Sequence, residues 1–327
     1  MRPQHTGTGR VLAPRYDLAM LIRRRTLLIA LALGVGGCAP SPVVSGEPAA
    51  PATTAPPVQD ATAAAAQSAI AALRTGLEGL AGLAGFAAPD WAKAAIAQCD
   101  AHLELLSLPD PLGGADQTPF PTAPAGLRPP TDLAQGEAEL TARIDAVVEA
   151  LEATAAASGE GDLRLLNASA ATAAVGLRNR ALLPVAPEVN PTRLQPTTLE
   201  ASLPIALGHV WALIYGLGVG VGRLGSKDPL RAAGMARLAS AKELRNRLRA
   251  GLTEVPSQPA AFDLPNELST PAEIQAAWAE LETNLLHGLA RLVAASPEPR
   301  WRAELLGQVT PVQAMGGSLS YWPGWVG

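Results

Sequence analysis

Residues 270–292 read TPAEIQAAWAELETNLLHGLARL, and they decide the fold class. Thr270 and Glu273 stand at the spacing of a capping box, in which each side chain satisfies a free amide at the helix start. Pro271 occupies the first helical position, where its missing N–H costs nothing. Ile274, Trp278, Leu281, Leu285, Leu289 and Leu292 then recur every three or four residues, which puts them on one buried face of an α-helix.

The same three-and-four spacing extends outward in both directions, with very few β-branched runs. Toward the C-terminus a helix starts near Ser296-Pro297, carries Trp301 and Leu305, and is expected to bend at Pro311. It leads into an aromatic tail, Tyr321-Trp322-Pro323-Gly324-Trp325, expected to fold back on the bundle. Toward the N-terminus lie a helix opened by Asp228-Pro229, with Leu238, Ala241, Leu244, Leu248 and Leu252 in register, and one over about 199–224. Four further helices precede them. Their stripes are Ile70/Leu73/Leu77/Leu80, Trp91/Ala95/Cys99/Leu103/Leu106, Leu140/Ile144/Val147/Leu151, and Leu163/Leu166/Ala170/Ala173/Leu177 behind a cap at Asp162. A long Pro/Gly-rich crossover fills 107–130. The expectation is an all-α protein of two tandem four-helix bundles, over 58–182 and 199–327, joined by a Pro-rich linker at 183–198.

The N-terminus reads as an address rather than as fold. Arg23, Arg24 and Arg25 precede an apolar run from Leu27 to Val35, which is short for a membrane span. Val35-Gly36-Gly37-Cys38 follows and resembles the lipobox of bacterial lipoproteins, in which the cysteine thiol takes a diacylglycerol. Residues 1–37 are therefore expected to be a lipoprotein signal peptide, with Met20 an alternative start. Arg24-Arg25-Thr26-Leu27-Leu28 also resembles a twin-arginine signal, which leaves the export route open. Residues 38–57, rich in Pro, Ala, Ser and Thr, are expected to form a tether. The expected location is the extracytoplasmic face of the cell membrane, lipid-anchored through Cys38.

The chain has 327 residues, 48% of them hydrophobic, and a formal net charge of −4. Removing residues 1–37 leaves 19 basic against 28 acidic residues, a charge of −9, which disfavours nucleic acid as a partner. With Cys38 lipidated, Cys99 remains without a cysteine to pair with.

From about Leu203 to Trp325 the sequence resembles an uncharacterised ferritin-like family of exported actinobacterial proteins. His209, Tyr215-Gly216, Arg247-Leu248-Arg249, Leu281-Glu282 and Trp322-Pro323-Gly324 carry the resemblance. Cys99-Asp100-Ala101-His102-Leu103 is similar to a His-Leu pair seen there, so the first half looks like a degenerate relative. The resemblance implies ferritin-like bundles in tandem and no established activity.

A ferritin-like two-metal site needs inward carboxylates and a Glu-x-x-His on two helices. The four histidines are His5, His102, His209 and His287, and three residues before them stand Arg2, Cys99, Ala206 and Asn284. Gly208 stands beside His209, and Ala241 falls at the expected histidine position of the second helix. Glu282, His209 and Glu243 are the weak metal candidates that remain. No metal, cofactor or catalytic residue is expected.

Other motifs have ordinary explanations. Cys99 and His102, one turn apart, have the spacing of soft-metal ligands, yet Cys99 lies on an apolar stripe. His287 lies opposite Trp278 and Leu281 and is read as a surface residue. Gly220-Val221-Gly222-Arg223-Leu224-Gly225 fits a dinucleotide fingerprint, but nothing around it suggests a βαβ unit. Gly208, Ala212, Gly216 and Gly220 are instead expected to line one face and admit a neighbouring helix. Residues 205–222 carry no charge, which suits a core helix and is borderline for a membrane span. The arginine-rich helix over 227–249 is expected to pair with acids of the first bundle, such as Glu137 and Glu152; the alternative is a membrane-facing surface.

The resulting expectation is a membrane-anchored lipoprotein with a non-catalytic binding or structural role at the cell envelope. Its partner is an unidentified protein or small molecule. The alternatives are a metal-dependent redox or storage protein using Glu282, His209 and Glu243, and a transport accessory with one membrane span.

Overall fold

The computed structural model describes residues 57–114, 116–123 and 125–325. Cys38, the signal segment and all of the tether but Pro57 lie outside the described residues. Among the described residues the chain is all-helical: α1 (Ala61–Ala81), α2 (Pro89–Leu106), α3 (Leu133–Ala157), α4 (Gly161–Gly176), α5 (Leu199–Arg223), α6 (Pro229–Ala250), α7 (Pro271–Ala295), α8 (Pro299–Gly307) and α9 (Val309–Ala314). Extended pairing among them is limited to one parallel bridge between Val185 and Ser320.

Side chains start several helices as the sequence suggests. Asp60, Asp132, Thr198, Asp228 and Thr270 each accept from a backbone amide of the first turn. The Thr270 box closes one residue early: Glu273 N–H donates to Thr270 Oγ1, while Glu273 Oε2 accepts from the Ser269 amide at 2.7 Å. Helix α4 departs from expectation, because its cap position is Glu160 and Asp162 lies inside the first turn. The break between α8 and α9 falls at Gln308, ahead of Pro311. The proline ring clashes with the carbonyl four residues back, at Gly307, so the preceding helix ends there.

The two halves repeat one packing order. In the first, α1 packs on α2 and α3, and α3 on α4; in the second, α5 packs on α6 and α7, and α7 on α8. Connection lengths repeat as well. Residues 82–88 and 158–160 are short turns around the long crossover 107–132, and residues 224–228 and 296–298 flank the long crossover 251–270.

Among the described residues the two halves form one compact unit. Helix α4 joins them, since it packs on α3 and also on α7, α8 and α9. Every residue from Arg164 to Ala174 is buried, so α4 is enclosed on all sides rather than on one stripe. Leu166, Ala170, Ala171 and Ala174 face the first core, and Leu165 and Ala168 the second. Its alanines let helices approach from both directions. At its start, a Cβ on Gly161 would lie 2.1 Å from the Ala294 carbonyl oxygen. The Arg164 guanidinium donates to the carbonyls of Val293 and Ala294 at 2.8 and 2.9 Å. A cation thereby covers the unpaired carbonyls at the end of α7, where the helix dipole is negative.

The aromatic tail folds back between the halves. Tyr321 and Trp322 belong to the first core although they follow the second half in sequence. Val185 N–H donates to the Leu319 carbonyl, Tyr321 N–H to the Val185 carbonyl, and Ser169 Oγ to the Pro323 carbonyl.

The small-residue stripe of α5 is only half a contact face. A Cβ on Gly216 would lie 2.4 Å from Leu281 Cδ1, and one on Gly220 2.6 Å from the Trp278 ring. Gly208 instead faces open space and Ala212 is half-buried. Four residues turn a helix by about 400°, so a four-residue repeat drifts about 40° per step and leaves a single face. Trp278 fills the junction, with its indole N–H donating to the Gly216 carbonyl at 3.0 Å.

Candidate functional site

The best metal candidate of the sequence, Glu282, is fully buried on α7. Neighbouring helices on several sides close it off, since α7 packs on α4, α5, α8 and α9. A carboxylate in such a place needs a partner, because removing a charge from water costs several kcal/mol. The partner is Arg237 of α6. Its Nε donates to Oε1 at 2.6 Å and its Nη2 to Oε2 at 2.8 Å, a two-pronged pair. Gln308, at the α8–α9 break, donates from Nε2 to Oε2 at 2.6 Å and accepts from Arg237 Nη2 through Oε1 at 3.2 Å. Both carboxylate oxygens are thus engaged, and the cation that neutralises them is a guanidinium.

The other two candidates do not join it. Glu243 is exposed on α6, near Arg247. His209 is half-buried on α5 against Gly288 of α7, with Arg291 close by. Its neighbour is His287, which is half-buried rather than solvated because α7 meets α5 along that flank. Among the described residues no three His, Cys, Asp or Glu side chains gather as a metal would require.

Cys99 and His102 also part company. Cys99 is buried in the first core, and that burial pushes its thiol up to about 12, so it stays protonated. His102 turns to the tail. Its Nε2 donates to the Tyr321 carbonyl at 2.7 Å, and its ring lies 4.5 Å from that of Trp322. The histidine that the sequence sets beside a cysteine therefore holds the C-terminus in place. The glycine fingerprint at 220–225 spans the end of α5 and the turn after it, with no strand before it.

The arginines of α6 do not reach the first half. Arg237 pairs with Glu282 and Arg247 with Glu304, both in the second half. Acids of the first half pair with Arg74, Arg143 and Arg180, and Glu152 pairs with Arg302 of α8. The expected cross-bundle pairing is thus corrected: among the described residues α6 packs on α5, and its ion pairs stay within the second half.

No match is found. That holds for family models, for curated proteins and for solved structures alike.

Two clefts lie at the end where α3 turns into α4. The first, about 330 Å³, is bounded by the start of α1 and the loops after α2 and α3. Val58, Leu106, Leu108, Phe120 and Leu163 supply an apolar lining, and Asn167 and Thr154 polar points. This volume and mixture suit a small apolar ligand. The second, about 380 Å³, is bounded by residues 160–162 and 193–197. There Arg193 bridges Asp110, Glu160 and Asp162, so its own surface already satisfies its charge.

The three described histidines give the protein an acid limit. Burial depresses His102 to about 4, against an ordinary value of 6.5. Burial also lowers His209, with Arg291 adding to the effect, and His287, with His209 adding to it. His102 folds as a neutral ring, whereas the unfolded chain takes up its proton first as pH falls. Stability from this group is complete above about pH 6.5 and is lost toward pH 4. His209 and His287 act in the same direction. Denaturant titrations at neutral pH and at pH 5 are expected to differ by about 2 kcal/mol from His102 alone. A His102→Gln variant should show a flatter dependence; an unchanged slope would contradict the assignment.

Proposed function

We propose that this protein is a lipid-anchored, tandem ferritin-like helical protein with a binding or structural role at the cell envelope, and that it catalyses no metal redox reaction. The observation that carries this reading is the pair of Glu282 with Arg237. Glu282 is the foremost of the weak metal candidates left by the sequence, yet its carboxylate is already neutralised, buried and held by two donors. An ion entering this place would have to displace a guanidinium and would still find too few anionic ligands.

The ferritin-like part is supported by connectivity. One long crossover between two short turns is the connection pattern of ferritin-like bundles, and it occurs twice. Of the two clefts, the one beside Phe120 suits a bound small molecule better, because its lining is apolar and no ion pair fills it.

The deciding experiment is elemental analysis of the mature protein, expressed with iron and manganese supplied. Substoichiometric metal is expected. About two ions per chain, lost on Glu282→Ala, would favour the redox alternative. Anchoring is tested separately. Cys38→Ala should abolish fatty-acid labelling and leave the precursor unprocessed; a variant that still labels and matures would remove the anchor from the proposal.

A further inference from the structure

We infer that the outer face of α6 is a docking surface for an anionic phospholipid bilayer, on which the second half of the protein lies. This rests on the lipid-anchored reading for its setting and on the surface itself for its chemistry.

Helix α6 lies at the edge of the fold and packs along its length on α5. Between residues 223 and 249 stand eight cations, Arg223, Lys227, Arg231, Arg237, Lys242, Arg245, Arg247 and Arg249, against two acids, Asp228 and Glu243. In a mature chain of formal charge −9 this is a reversal of sign confined to one helix and the turn before it. Two of the cations meet a carboxylate, Arg237 at Glu282 and Arg247 at Glu304. Arg223 and Arg231 donate to backbone carbonyls, of Glu267 and of Val221 and Leu224, and meet no carboxylate among the described residues. Lys227, Lys242, Arg245 and Arg249 have no ion-pair partner among the described residues, and all but Arg245 are exposed.

Beside these cations the outward face carries the exposed Ser240, Glu243 and Asn246 on its second half and small apolar residues on its first. Ala232, Met235, Ala236 and Ala239 are exposed on the first half of the helix, with Met235 54% exposed. Cations at one end and alanine and methionine at the other let a helix lie flat on a bilayer, its apolar side chains sinking between headgroups. Cations near an anionic membrane surface contribute about 1 kcal/mol each. A protein or nucleic-acid partner would meet the same cations, but the thin apolar face offers no pocket or aromatic anchor for it.

The test removes the anchor and keeps the surface. The chain from residue 38 onward, carrying Cys38→Ser, is sedimented with vesicles of phosphatidylcholine alone or mixed with phosphatidylglycerol, at low and high salt. Binding is expected only to the anionic vesicles and only at low salt. The pair Lys242→Glu and Arg249→Glu should weaken it by roughly 25-fold or more, about fivefold per cation. An equal reversal on the first half, Lys93→Glu with Arg128→Glu, both exposed, should change it far less. Equal losses in the two variants, binding to neutral vesicles, or binding to heparin but not to vesicles would overturn the inference. If the α6 variant melts early, the salt and lipid dependence of the parent chain still decides. Fatty-acid labelling at Cys38 is unaffected by these outcomes, so failure here and failure of the anchor remain distinguishable.

Discussion

Arg237→Ala is expected to destabilise the protein by about 3–5 kcal/mol, seen as a lower denaturation midpoint with an unchanged slope. The guanidinium is the only cation paired with Glu282 among the described residues, and the carboxylate is fully buried. Its loss leaves Gln308 Nε2 as the remaining side-chain donor, which offsets little of an uncompensated charge. The double variant Arg237→Met with Glu282→Leu should recover most of the loss, because apolar groups of similar volume often replace a buried ion pair without penalty. This contrast separates a strained charge from lost packing. A single variant within 1 kcal/mol of the parent would show that water reaches Glu282, and the argument against a metal at that place would fall with it.

The second large effect is expected at the far end of the chain. Trp322→Ala should cost about 3–5 kcal/mol, the range for emptying a buried aromatic site. Trp322 is 2% exposed, packs at a tilt against the His102 ring and belongs to the first core, although the chain reaches it only after the second half. Its removal should therefore loosen α2 and α4 as well as the tail, giving faster amide exchange in helices more than 140 residues away in sequence. Trp322→Phe should cost far less, since the indole N–H has no hydrogen-bond partner among the described residues. Unchanged exchange in α2 after Trp322→Ala would mean that the tail rests on the first half without supporting it.

These two sites differ in how far they can be read from sequence. Helices and their ends follow from local rules: a stripe at three-and-four spacing, a short polar side chain before it, a proline at the first position. The stripes of α1, α3 and α7 are buried as their spacing requires. Local rules also locate the long crossover after α2, rich in Pro and Gly, whereas the one over 251–270 emerges only from the helices on either side. They err where a neighbour distant in sequence decides. The arginines of α6 look like partners for acids of the first half, because sign alone does not tell which helix lies opposite. His287 looks solvated, because the periodicity of α7 does not show that α5 lies along its flank. The glycine repeat of α5 looks like one contact face, although half of it turns away.

The sequence by itself determined an all-helical chain and the stripes and most of the caps of its helices, because these depend on propensity, capping and periodicity over a few residues. It also excluded the Glu-x-x-His pattern of a ferritin-like metal site, since that is a matter of spacing along one helix. Only the tertiary structure decided that α4 is shared between two cores, that the tail closes the first half through His102, and that Arg237 occupies the place at Glu282. Each of these is a contact between residues 45 to 219 positions apart. Such contacts form because buried polar groups must find partners and buried faces must be filled. Which partner is found depends on how the helices stack, and a stripe on one helix carries no record of its neighbour.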